Sequence, residues 1–243
     1  MASSAKHRTG GAAVLLDRSR NVSSTRQASF TVPTLSNDDG ALVAEVLQQR
    51  LVSLLDLGLT LKHIHWNVVG PNFIGVHEML DPHYAGVQAM IDELAERIAT
   101  LGGVPSGLPG RLVGDRTWTD YQLDRADSLS HLGALDVVYD GVIRDHRAAI
   151  DTASKLDHVS ESLLTDQTGI LEKYQWFVRS HLADWAGGMA NAGALSAMDA
   201  ARAVAAKSSR NASRNNDRNA PRSAPKPSVP KSAGSKPHVK GRK

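Results

Sequence analysis

The chain has 243 residues, a formal net charge of +3 and no cysteine, which excludes a disulfide framework and a thiolate metal site. Its length allows one large or two small domains. No apolar run reaches the ~18 residues of a membrane-spanning helix. The patch Ala12-Ala13-Val14-Leu15-Leu16 falls short of the ~7–15-residue core of a secretory signal, so a cytoplasmic protein with no membrane partner is expected.

The small net charge hides a partition. Residues 1–29 carry five Lys/Arg against one acid, residues 30–185 eleven against twenty-two, and residues 186–243 twelve against two. An acidic body between two basic arms is therefore expected. Residues 1–29, rich in Ser, Arg, Gly and Ala without a sustained period, read as a flexible basic N-terminal arm. Ser36 with Asp39 three residues later imitates a capping box and starts the first helix. From Ala41 to Val68, Leu42, Val43, Val46, Leu47, Leu51, Leu54, Leu55, Leu57, Leu59 and Leu61 recur at helical spacing. Gly70-Pro71-Asn72 breaks the chain, and a second helix is expected over Phe73–Leu101, kinked at Pro82 and ended by Gly102-Gly103.

The turn-rich stretch Val104–Asp124 reads as a crossover, with a short helix expected over Thr117–Leu123. A third helix is expected over Asp127–Leu156, with Leu129, Leu132, Leu135, Val138, Val142, Ile143 and Ile150 as its apolar stripe. A fourth is expected over Ser160–Ala183, burying Leu171, Tyr174, Phe177, Val178 and Leu182. No run alternates well enough for a strand. The fold class is thus all-α: a four-helix bundle over residues 30–185 with one long crossover. Residues 186–206, rich in Ala and Gly, extend at most a weak helix. Beyond them the Ser/Asn/Pro/Lys/Arg composition of a disordered tail takes over, with prolines at 221, 225, 227, 230 and 237.

The stretch Leu61–Glu96 holds four of the ten histidines, His63, His65, His77 and His83, together with Glu78, Asp81, Asp92, Glu93 and Glu96. His77 and Asp81 share a helical face, as do Asp92 and Glu96. Histidine with paired carboxylates suits a hard or borderline metal such as iron. Taken singly, each of these residues is ordinary: a histidine on an amphipathic helix usually makes a surface hydrogen bond, and DELAER reads as a solvated face. His63 and His83 fall on other faces and read as structural. His77 and Asp92 are fifteen residues apart on one helix, a rise of roughly 22 Å that no single ion spans. If both pairs serve one metal, the second pair comes from another copy of the chain, with antiparallel helices across a two-fold axis. The Glu-x-x-His motif of a di-iron site inside one bundle does not occur in the sequence.

KHIHWNVVGPNFIGVHEMLD followed by DELAERIATLGG resembles the Dps family, the DNA-binding ferritin-like mini-ferritins of starved bacteria. The resemblance runs from about Phe30 to Trp185. It implies a dodecameric hollow shell that oxidises Fe(II) to Fe(III), preferably with hydrogen peroxide rather than dioxygen, and stores the ferric product. It implies a ferroxidase site at the dimer interface, with His65, His77 and Asp81 from one chain and Asp92 and Glu96 from the next. Glu96 would bridge two irons, and Trp66 would intercept an oxidising equivalent beside them. Asp145, Asp151 and Asp157 are the candidates for an acidic pore drawing in the cation.

The tail cations Lys207, Arg210, Arg214, Arg218, Arg222, Lys226, Lys231, Lys236, Lys240, Arg242 and Lys243 are the candidate contacts to double-stranded DNA, through phosphates and without base readout. That places the protein on the nucleoid. The alternatives are a structural nucleoid protein with a vestigial metal site and an iron-storage shell that ignores DNA, its arms serving only assembly.

Overall fold

The computed structural model describes residues 29–219. The arm through residue 28, and Arg222 with the cations after it, lie outside the described residues. Six helices occur among the described residues: α1 (Asn37–Asn67), α2 (Phe73–Thr100), α3 (Pro109–Asp115), α4 (Ser128–Ala153), α5 (His158–Leu182) and α6 (Ala197–Asn219). Two-residue strands β1 (Val68–Val69) and β2 (Ala126–Asp127) pair in parallel, against the expectation of no strand. A ladder this short offers no alternation to read. It ties the start of α4 to the end of α1.

Local chemistry explains the boundaries. Ser36 caps α1, accepting from the Asp39 backbone N–H at 3.0 Å. Asp127 accepts from the N–H groups of Leu129 and Ser130, and Asp157 from those of Val159 and Ser160, so carboxylates cap α4 and α5. Gly102 at φ 83° closes α2, and the Gly103 N–H reaches back to the Ile98 carbonyl at 2.9 Å.

Helix α2 runs unbroken through Pro82. The proline leaves the Glu78 carbonyl without its helical donor, and Glu78 is exposed, where water can serve instead. The short crossover helix forms at Pro109–Asp115 and not over Thr117–Leu123. Pro109 is preorganised for a first helical position, while Trp118 sits at a bend in an irregular segment and its Nε1 donates to Asp56 at 2.6 Å.

Helix α1 packs on α2, α4 on α5, and α1 on α4. Their shared core includes Leu47, Leu54, Leu57, Leu61, Leu80, Leu94, Leu132, Tyr139, Leu164 and Leu171, all at most 1% exposed. Each such leucine contributes about 1.5–3 kcal/mol. Leu42 and Leu59, expected in the stripe of α1, are instead 58% and 65% exposed. They lie on the side of α1 turned away from the other helices.

The chain divides into two compact units after Ala205. Within the first, residues 197–205 pack on the bundle through Ala200, Ala201 and Val204, although composition assigned them to the tail. Upstream, Asn191 donates to the buried Asp136 carboxylate at 2.8 Å. In the second unit α6 continues to Asn219, so residues 207–219 are helical where a structureless tail was expected. The prolines that argued against helix begin at 221, beyond that end.

Candidate metal centre

His65 lies in the last turn of α1 and His77 in the second turn of α2. The Gly70-Pro71-Asn72 turn, with Gly70 at φ 88° and Asn72 at φ 66°, folds the two helices back on each other. The imidazoles stack with ring centroids 3.6 Å apart. His65 Nδ1 donates to the His77 carbonyl at 3.0 Å, and His77 Nδ1 donates to the His65 carbonyl at 2.9 Å. A carbonyl only accepts, so each Nδ1 carries a proton, and in the neutral imidazole each Nε2 is the nitrogen left to ligate. A ligating histidine is ordinarily held in this way, with the far nitrogen bonded to a backbone carbonyl that fixes tautomer and ring orientation.

Asp81, one turn after His77, brings a carboxylate oxygen within 3.3 Å of His65 Nδ1. Lys62 donates to the same oxygen at 3.1 Å. That hydrogen bond holds the Asp81 carboxyl below its ordinary range, against the smaller opposing effect of desolvation. The Lys62 ammonium also lies 6.0 Å from the Trp66 ring and 5.5 Å from that of Tyr84. The Phe73 ring lies 4.9 Å from that of His77. Neither Lys62 nor Phe73 was singled out from sequence as part of the centre. Lys62 was legible in principle, standing three residues before His65 and four before Trp66.

Asp92 and Glu96 project into solvent from the far half of α2. Because α2 is one continuous helix, they stay roughly 22 Å along it from His77. Among the described residues, no group of three or more His, Cys, Asp or Glu within the chain is arranged to hold a metal ion. The structure places His65, His77 and Asp81 side by side, without completing a metal-holding group, and leaves Asp92 and Glu96 apart from them. Trp66 sits next to the trio and is 71% exposed.

Other motif residues have structural partners. His63 Nε2 bonds the Leu123 carbonyl at 2.7 Å, and His83 Nδ1 pairs with the Tyr139 hydroxyl at 3.0 Å inside the core. Glu93 accepts from Gln167 at 2.9 Å. Arg97 donates to Ser160 at 3.0 Å and to Asp157 at 2.6 Å, bolting α2 to the start of α5.

The three pore candidates have different surroundings. Asp145 pairs with Arg50 at 3.4 Å, and Asp157 is spent on Arg97 and the α5 cap. Burial would raise the Asp157 carboxyl, but the Ser160 and Arg97 hydrogen bonds outweigh it and hold it low. Asp151 is exposed near the end of α4. Of the tail cations, Lys207 and Arg210 lie on α6, as do the backbones of Arg214 and Arg218.

A family model, the ferritin-like domain, matches residues 44–187. The chain is 51% identical over 181 residues to the "DNA protection during starvation protein" of Mycolicibacterium smegmatis, spanning 74% of this chain and 99% of that relative. Among solved structures, Mycobacterium smegmatis Dps is similar at 53% identity and a TM-score of 0.68, over 69% of this chain and 96% of that one. DpsA14 from Streptomyces coelicolor is similar at 52% identity and a TM-score of 0.67, over 68% and 99%.

Proposed function

The chain belongs to the ferritin-like family and, within it, to the Dps proteins; from that premise we propose that it oxidises Fe(II) at sites shared between two copies of itself. The observation that carries this reading is the reciprocal tethering of His65 and His77 beside Asp81. Two imidazoles tethered through Nδ1, with the Asp81 carboxylate beside them, would supply half of a coordination shell suited to Fe(II). The missing half is Asp92 and Glu96 of the partner subunit, brought opposite by an antiparallel two-fold arrangement of α2.

An exposed apolar surface borders the trio and supports such a contact. Trp66 and Ile74 are 71% and 59% exposed, Leu59 lies seven residues before Trp66 on the same face of α1, and the Phe73 ring lies tilted against that of His77. Lys62 gives up Asp81 as the cation arrives, one positive charge replacing another.

Each Fe(II) loses one electron and hydrogen peroxide accepts two. Two irons at one site, held by His65, His77 and Asp81 of one chain with Asp92 and Glu96 of the partner subunit, would together supply the two electrons that, with two protons, take one peroxide to two waters without releasing a radical. Trp66 is placed to take up an oxidising equivalent that escapes. The ferric product collects in a hollow dodecamer. The acidic charge of residues 30–185 favours Fe(II) approach, and Asp151 is the pore candidate least committed to other partners. The basic arms hold the assembly on double-stranded DNA in the cytoplasm, where removing Fe(II) and peroxide together spares the DNA. No helix among the described residues is long and apolar enough to cross a membrane.

Mixed assembly tests the shared site. In a dimer of one His77→Ala chain and one Asp92→Ala chain, one site carries both lesions and the other carries none. Shells co-assembled from the two variants should oxidise Fe(II) with peroxide faster than either parent shell. If mixed shells verified by mass spectrometry never exceed the weaker parent, the shared geometry is wrong.

A further inference from the structure

Residues 207–219, KSSRNASRNNDRN, continue α6 as a helix although they contain no apolar residue larger than Ala212. Residues 208–213 are all exposed. A helix that is polar all round has no core-facing stripe to hold it. Its composition is also unfavourable: Ser and Asn compete with the helix for backbone hydrogen bonds, as Ser213 does by bonding the Ser209 carbonyl at 3.1 Å. Arg210, Arg214 and Arg218 follow one another at i, i+4, an arrangement that weakens an isolated helix by like-charge repulsion.

Two features make the helix useful. Its nucleus is supplied in advance by residues 197–205, which are Ala-rich and anchored through Ala200 and Val204, so residues 207–219 need only propagate an existing helix. Propagation places positions 207, 210, 214 and 218 on one face, a row of cations along roughly 16 Å of helix. An α-helix fits the ~12 Å major groove, and duplex DNA offers one charge per ~1.7 Å of its axis. No aromatic is present to stack on single-stranded bases.

We propose that residues 207–219 dock on duplex DNA as a helix, not as a flexible polycation, and that the phosphates stabilise this helix by relieving the repulsion along its basic face. This inference rests on the DNA-binding role proposed above. Hydrogen exchange of the intact assembly should show the amides of 207–219 slowing when a short random-sequence duplex is added.

Two charge-neutral changes separate helix from charge. Ser213→Pro breaks the helix, and Asn211→Ala, Asn215→Ala and Asn216→Ala together strengthen it. At fixed salt, duplex affinity by fluorescence anisotropy should fall several-fold in the first. It should rise by up to roughly threefold per substitution in the second, the factor that corresponds to the helix-propensity difference. Peroxide-driven iron oxidation should be unchanged in both. If both variants bind like the parent while deletion of 207–243 abolishes binding, the arm acts as a flexible polycation and the helix proposal is overturned. If that deletion leaves binding intact, the DNA role of this arm fails together with it.

Discussion

His146 shows what a single buried residue does to the whole protein. Its side chain is 0% exposed, its Nδ1 donates to the Val142 carbonyl at 3.1 Å, and its Nε2 has no hydrogen-bond partner among the described residues. Burial, reinforced by the nearby Arg50 guanidinium, pushes its pKa from 6.5 down to about 4, so it stays neutral in the folded chain. Arg50 pairs in turn with Asp145, and Gln167 approaches from α5.

The folded state binds its proton later than the unfolded state as pH falls. The stabilisation is therefore complete above pH 6.5 and is lost between 6.5 and about 4. One such histidine removes about 3 kcal/mol by the end of that window. Urea unfolding at fixed protein concentration should show this decline, and His146→Leu should flatten it. An unchanged pH slope in the variant would assign the acid sensitivity to other groups, with His83, also held to about 4 by burial, the next candidate.

At the scale of elements, close approaches decide which helix goes where. A Cβ on Gly133 of α4 would lie 2.8 Å from Val204 Cγ2 and 3.2 Å from the Ala200 carbonyl oxygen. Only glycine lets the start of α6 settle there. Gly133→Leu should expel residues 197–205 from the bundle while the four long helices stay paired. Limited proteolysis would then cut within 197–205 in the variant and not in the parent, with the far-UV helical signal reduced only by the share of α6. Global unfolding of the variant, or protection of 197–205 equal to the parent's, would contradict this account of the contact. The continuity of α2 through Pro82 matters for the same reason: a break there would free Asp92 and Glu96 from their fixed separation from His77.

At the scale of the whole molecule, charge partition separates the two proposed tasks. Residues 30–185 have twice as many acids as bases and repel DNA, whereas residues 207–243 carry eleven Lys/Arg and the one acid Asp217. Many copies of such an arm on one shell would add avidity, because each bound arm raises the effective concentration of the next. Phosphate contacts lower log affinity with log salt by a slope of about −0.9 per phosphate neutralised. Deleting 207–243 should weaken gel-shift binding of plasmid DNA and flatten that slope, while iron oxidation continues at the parental rate. Should the truncated shell shift DNA at the same protein and salt concentrations, Lys6, Arg8, Arg18, Arg20 and Arg26 of the other arm become the contacts.

What the sequence determined alone was whatever depends on spacing. Leu47, Leu51, Leu54 and Leu61 recur at helical intervals and are buried, and the fifteen-position separation of His77 and Asp92 means that one metal ion could be served by both pairs only with a second copy. Periodicity says which face of a helix is apolar, but not which partner covers it, and so Leu42 and Leu59 were misplaced. Tertiary structure alone decided which atoms meet. The carbonyls that lock His65 and His77 belong to residues twelve apart, the carboxylate that Lys62 occupies is nineteen away, and Asp56 holds Trp118 across sixty-two. The same applies to α6, whose first turns are buried because Gly133, more than sixty residues earlier, leaves room for Val204. Hydrogen bonds and close contacts between distant positions leave no local pattern, because each is set by how two finished helices pack and not by the residues that built either one.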